Sequence, residues 1–92
     1  MNLSIVIPLL NESDSLRELY RELIEVAELN QYDLEIIMVD DGSTDDSWAV
    51  IESLSEADPR VCGIRLRRNF GKAAALSAGT SIASKELSLI HI

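Results

Sequence analysis

Ninety-two residues, 47% hydrophobic and 26% charged, are enough for one small globular domain and too few for two. The net charge of −8 argues against general nucleic-acid binding, and it is unevenly spread: residues 1–59 hold 15 acids against Arg17 and Arg21, while residues 60–92 hold six bases against Glu86. The longest early apolar run, Ile5 to Leu10, is interrupted by Pro8 and followed by Asn11 and Glu12, so neither a secretory leader nor a membrane span is expected.

In chain order, Leu3 to Pro8 is the first predicted strand, ended by a proline that cannot donate to a sheet ladder. Leu9 to Glu12 is a loop. From Ser13 to Leu29 the apolar residues Leu16, Leu19, Tyr20, Leu23, Ile24 and Ala27 recur at spacings of three and four, which predicts an amphipathic helix with Asp14 and Glu18 in its first turns. Asn30 to Asp33 ends it. The run Leu34 to Met38 is too short for a typical helix and reads as a buried strand that stops at two carboxylates, Asp40 and Asp41.

The turn after that strand is Val39-Asp40-Asp41-Gly42-Ser43-Thr44-Asp45-Asp46. Gly42 supplies a permissive backbone, Ser43 or Thr44 can cap the next helix, and Asp45 and Asp46 favour the positive end of its dipole. A phosphate cradle presents bare N–H groups to an anion, and a turn this acidic would repel one, so it should hold hydrogen-bond donors or a metal. Asp41 can accept a nucleobase ring N–H or a ribose hydroxyl, and Asp40 can turn inward to brace the loop. On its own, an ordinary Asx turn and helix cap explains the stretch equally well.

The next predicted helix runs to Ala57, with Val50, Ile51, Leu54 and Ala57 facing inward, and Asp58-Pro59 stops it. Val61 to Leu66 is a third strand. Ile64 and Leu66 alternate there with Arg65 and Arg67, which predicts one solvated face and a sheet edge. Cys62, the single cysteine, has no partner for an internal disulfide and is expected to be a small buried hydrophobe in a cytoplasmic protein. Arg68 to Lys72 is a turn, and the helix from Lys72 to Ser84 is so rich in Ala73, Ala74, Ala75, Ala78 and Gly79 that it must pack closely on something.

Strand alternating with helix implies parallel pairing and right-handed crossovers, and in the strand order 3-2-1-4 the third strand is an edge. The carboxyl ends of the three strands then share one rim, which collects Pro8 to Glu12, Asp40 to Ser43 and Arg67 to Lys72.

Three motifs lie on that rim: Pro8-x-x-Asn11-Glu12, Val39-Asp40-Asp41-Gly42-Ser43-x-Asp45 and Arg68-Asn69-x-Gly71-Lys72. Together they resemble the inverting family 2 glycosyltransferases of GT-A fold, especially the branch similar to dolichyl-phosphate mannose synthase and the bacterial polyprenyl-phosphate sugar transferases. The resemblance covers residues 3 to about 84 and implies a Rossmann-like parallel sheet with helices on both faces, the amino-terminal half of a GT-A fold. It further implies that residues 1–84 bind a nucleoside diphosphate sugar, with Pro8, Leu10, Glu12, Val39 and Asp41 around base and ribose, Asp41 the principal acceptor, and Asn69 and Lys72 nearer the diphosphate. Leu10 stands where the family often carries an aromatic. The implied cofactor is Mg or Mn, with ligands outside this chain, and the implied acceptor is a polyprenyl phosphate or a glycan. No nucleic acid is involved, and the expected location is cytoplasmic, at the inner face of a membrane reached through other parts of the protein. Residues 85–92 read as a truncated fourth strand or a foreign tail that leaves the first strand unpaired on one side, and His91 as an incidental tail residue.

On this reading no catalytic base or metal ligand is assignable, and the 92 residues alone are expected to be inactive. Two alternatives are a non-catalytic nucleotide-binding or structural α/β fragment and a receiver-type phosphoacceptor domain. The second is weakened because Asn11-Glu12 and Arg67-Arg68 stand where a receiver places acids. A dinucleotide-binding oxidoreductase is disfavoured, since no Gly-x-Gly-x-x-Gly follows the first strand.

Overall fold

The computed structural model describes residues 2–83 together with 86–89, the last four by their backbone. The elements are β1 (Asn2–Leu9), α1 (Ser13–Asn30), β2 (Asp33–Asp40), α2 (Ser47–Ala57), β3 (Val61–Arg65), α3 (Lys72–Ile82) and β4 (Glu86–Leu89). The strands form one sheet in the order β3-β2-β1-β4, and every neighbouring pair is parallel. β4 pairs with β1 from Leu3↔Glu86 to Val6↔Leu89, which corrects the expectation that β1 is left without a neighbour. Pairing satisfies the N–H and C=O groups that an open edge would expose. The expectation for His91 falls outside the described residues.

Side chains alternate across the sheet, so each strand feeds two cores. Ile5, Ile7 and Leu9 of β1 join Leu34, Ile36 and Met38 of β2, Val61 of β3, Leu16 of α1, and Ile51 and Leu54 of α2. Val6, Ile37 and Val39 face the other way and meet Ala75 of α3. The topology explains the division: β1, β2 and β3 step in one direction across the sheet, so two right-handed crossovers place α1 and α2 on one face, and the return past β1 places α3 on the other. Full burial of an Ile, Leu or Met side chain contributes about 1.5–3 kcal/mol. The fully buried set includes Ile7, Leu16, Ile36, Ile37, Met38 and Ile51, so most of the driving force lies in the β1–β2 centre.

α1 ends at Gln31, whose left-handed backbone (φ 58°) lets Tyr32 N–H reach the Ala27 carbonyl at 2.8 Å. A hydrogen-bond network ties the middle of α1 to the turn between α2 and β3. The Tyr20 hydroxyl donates to Asp58 Oδ2 at 2.6 Å, and the Arg60 guanidinium donates to both oxygens of the same carboxylate at 2.8–3.2 Å. The Arg60 guanidinium holds the buried Asp58 carboxyl far below the usual carboxylate range, and the bond to Asp58 raises Tyr20 above its ordinary value.

Three burial expectations are corrected. Cys62 is exposed: it shares the α3 face with its neighbour Ile37, but α3 lies chiefly over β1 and β2 and leaves the edge strand uncovered there. Ala57 is exposed, and the buried residues of α2 are Ser47, Ile51 and Leu54, because these recur at spacings of four and three on one stripe of the helix and Ala57 falls to the side of it. Ala73 and Ala74 are also exposed. The close packing of α3 is made by Ala75 and Gly79, where a Cβ on Gly79 would collide with Val6 of β1.

Candidate functional site

The carboxyl ends of β1 and β2 and the loop before α3 come together at one rim. A hydrogen bond from Asp41 N–H to the Leu9 carbonyl (2.9 Å) carries the β1–β2 ladder one residue past its strands, and Leu66 N–H reaches the Asp40 carbonyl at 2.9 Å on the other side. Between the ends lies a cleft of about 310 Å³ lined by Pro8, Leu9, Leu10, Asp41, Asn69, Gly71 and Lys72.

Each wall has its own cause. The acidic turn is tied to the β1–α1 loop by Asn11, which adopts a left-handed backbone (φ 54°) that asparagine tolerates better than most residues. Its Oδ1 accepts the N–H groups of Thr44 (2.9 Å) and Asp45 (3.3 Å), and its own N–H donates to Ser43 Oγ at 2.8 Å. Glu12 N–H donates to Ser47 Oγ at 3.0 Å. α2 begins at Ser47, so neither Ser43 nor Thr44 caps it; Asp45 serves that end, accepting Ser47 N–H at 2.9 Å and the Ser47 hydroxyl at 2.5 Å. The Ser47 hydroxyl holds the Asp45 carboxyl at about 2, below the usual 3.8.

The two central aspartates divide their work. Asp40 is fully buried, and its Oδ1 accepts Ser43 N–H at 2.8 Å, so it braces the turn from beneath; its Oδ2 has no partner among the described residues. Asp41 is 6% exposed and lines the cleft, with Oδ1 accepting Phe70 N–H at 2.8 Å and Oδ2 accepting Gly71 N–H at 3.1 Å. A carboxylate offers about four acceptor positions, so two remain for a ligand. Gly42 permits this approach: its φ is 87°, and a Cβ there would stand 2.6 Å from the Arg68 carbonyl carbon and the Asn69 nitrogen.

Of the predicted site residues, Pro8, Leu10, Asp41, Asn69 and Lys72 line the cleft. Val39 does not: its side chain is fully buried against α3. Glu12 is also outside the lining, and its carboxylate accepts the Ser15 hydroxyl at 3.0 Å. Leu9 and Gly71 join the lining, and Asn11 and Gly42 shape it. The Asn11-Glu12 motif and the positive-φ preference of Asn and Gly were the available signals for the last two.

The acidic turn does not fit a divalent cation. Asp41 and Asp45 already accept two or more donors each, Asp40 is buried beneath the turn, and no group of three His, Cys, Asp or Glu is placed to hold a metal among the described residues. The cleft offers instead one buried carboxylate, a side-chain amide and an ammonium group across an apolar floor of Pro8 and Leu10, suited to a ligand with N–H or O–H donors at one end and negative charge at the other.

The family model for glycosyl transferase family 2 matches residues 4–90. The chain is 39% identical over 84 residues to a bactoprenol glucosyl transferase of Shigella phage SfV, covering 91% of this chain and 27% of that protein. It is 42% identical over 85 residues to an undecaprenyl-phosphate 4-deoxy-4-formamido-L-arabinose transferase of Sodalis glossinidius, covering 91% and 26%. Among solved structures, a mannosyltransferase from Pyrobaculum calidifontis in complex with GDP-Man and Mn2+ superposes with a TM-score of 0.84 at 23% identity, over 97% of this chain and 26% of that one. This likeness establishes a fold shared with part of a GT-A structure. The chain spans about a quarter of the length of the curated relatives it matches.

Proposed function

Because the chain belongs to glycosyl transferase family 2, we propose that it is the nucleotide-sugar-binding part of an inverting enzyme that moves a sugar from a nucleoside diphosphate sugar to a polyprenyl phosphate. The observation that carries this reading is Asp41 facing Asn69 and Lys72 across one cleft. Asp41 accepts a base N–H or a ribose hydroxyl, Pro8 and Leu10 give the base an apolar floor, and Asn69 and Lys72 stand toward the diphosphate. Val39 supports this floor from below, and Glu12 holds the β1–α1 loop. The acceptor class comes from the relatives, which are named for bactoprenol and undecaprenyl phosphate.

In transfer, a phosphate oxygen of the acceptor forms a bond to the sugar's anomeric carbon as the bond to the diphosphate oxygen breaks, so negative charge grows on the departing diphosphate, where Lys72 can offset part of it. A divalent metal held by other parts of the enzyme would supply more of that stabilisation. The residues described here do not fit one, so its ligands belong elsewhere in the enzyme. No helix among the described residues is long and apolar enough to cross a membrane. A lipid-linked acceptor, taken with a nucleotide sugar as donor, supports a working position for this cleft at the cytoplasmic face of one.

Calorimetric titration of UDP, GDP and uridine tests the reading. Loss of a charge-assisted bond worth about 1.5–3 kcal/mol makes Asp41→Asn roughly 10- to 100-fold weaker for the preferred nucleotide. Lys72→Ala weakens UDP more than uridine, and the gap narrows as salt is added. Equal affinity in the wild type and Asp41→Asn rejects the assignment.

A further inference from the structure

The loop from Arg67 to Gly71 has no regular structure, and α3 begins directly after it with no side-chain cap from its own sequence and no acid in its first turn. Unsatisfied N–H groups at a helix start need an acceptor, and negative charge there is favourable. For Gly71, which caps the helix start, and for Phe70 in the loop before it, the acceptor comes from 30 and 29 residues upstream. Asp41 takes Phe70 N–H on one oxygen and Gly71 N–H on the other, at 2.8 and 3.1 Å, and Gly71 N–H is shared with Asn69 Oδ1 at 3.0 Å. Gly42 lets the two backbones close to contact, whereas Gly71 (φ 97°) has open space around it. The residues flanking these two bonds, Asn69 and Lys72, form the far wall of the cleft.

We propose that Asp41, beyond contacting the nucleoside, is a positioning residue that sets where Asn69 and Lys72 stand, so that the nucleoside and diphosphate ends of the ligand are recognised through one carboxylate. This rests on the nucleotide-binding reading above and adds a coupling that two independent contacts would not produce. Donation from a base or ribose to a free lone pair of Asp41 redistributes the carboxylate's charge among its donors, and the Phe70 and Gly71 amides report it directly.

Three measurements decide the matter. In a cycle of Asp41→Asn, Lys72→Ala and the double variant, the loss of UDP affinity caused by Lys72→Ala is several-fold beside Asp41 and less than twofold beside Asn; the same fold-loss in both backgrounds overturns the proposal. With the wild type alone, uridine, which carries no phosphate, shifts the amide resonances of Phe70 and Gly71; no shift on saturation overturns it. Should the wild type bind neither compound, the nucleotide reading fails and hydrogen exchange in the free chain decides the positioning role. Protected Phe70 and Gly71 amides that exchange at least tenfold faster in Asp41→Asn support it, and unchanged exchange overturns it.

Discussion

Gly42→Ala is the sharpest test of how the rim is built, because its cost has two separable causes. A left-handed backbone costs an alanine about 1–2 kcal/mol. A Cβ placed 2.6 Å from the Arg68 carbonyl carbon and the Asn69 nitrogen meets main chain rather than a flexible side chain, so crowding adds about 1–3 kcal/mol. The lower entropy of the unfolded alanine chain returns about 0.4–1 kcal/mol. The net loss is about 1–5 kcal/mol, a large share of the roughly 5–15 kcal/mol that holds a domain together, and it lowers Tm by about 4–8 °C for each kcal/mol at this size. Gly71→Ala is the comparison. Its φ of 97° with ψ 162° is a backbone nearly confined to glycine, but nothing lies within 4 Å of the added carbon, so only backbone strain of about 1–3 kcal/mol applies, less the same entropy return. Urea and thermal unfolding of the two variants give the difference. If Gly42→Ala is no less stable than Gly71→Ala, the close approach of the acidic turn to the Arg68–Asn69 backbone is wrong, and so is the account of the cleft built on it.

Asn11→Gly keeps the left-handed backbone but removes the acceptor for Thr44 and Asp45 N–H, so it should cost about 0.5–1.5 kcal/mol, while Asn11→Asp retains the acceptor and stays near the wild type; urea midpoints that fall equally for both would contradict the stapling role. The Tyr20–Asp58–Arg60 network sets a pH window. Asp58 is depressed below its ordinary 3.8, so its contribution is present above about pH 4 and lost as pH falls through its folded value. Tyr20 is raised above 10.0, so its contribution is present below about pH 10 and lost as pH rises through its folded value. Asp58→Asn should lower stability between those limits by about 1–3 kcal/mol, discounted because Arg60 is partly exposed, and flatten both limbs of the stability profile; limbs as steep as in the wild type would show that the network does not titrate with folding. Finally, residues 1–92 alone should not turn over labelled UDP-glucose or GDP-mannose with a polyprenyl phosphate and magnesium or manganese, with a full-length relative as the positive control. Turnover would show that these residues contain a base and a leaving-group stabiliser not identified at the cleft.

The sequence by itself determined the first three strands, the three helices and their order, but left residues 85–92 open between a fourth strand and a tail, so the pairing of β4 with β1 was not legible in it. Short continuous apolar runs rich in β-branched residues marked β1 and β2, three- and four-residue spacing marked α1, and the Ile64/Arg65/Leu66/Arg67 alternation placed β3 at an edge, where the sheet order puts it. Periodicity is local, and a strand or helix face is written within a few consecutive residues. The three rim motifs were legible for the same reason, as short runs at strand ends. Tertiary structure alone decided which groups the carboxylates meet. Asp41 accepts amides 29 and 30 residues away, Asn11 accepts amides 33 and 34 residues away, and Gly42 is required by a backbone that is distant in sequence. It also decided that Val39 lies beneath α3 and that Cys62 lies outside its cover, because burial at a strand position depends on which helix crosses it and how far that helix extends. A residue's own neighbours give its secondary structure, but the partner that satisfies a buried polar group is chosen only when the crossovers bring separate loops to one rim.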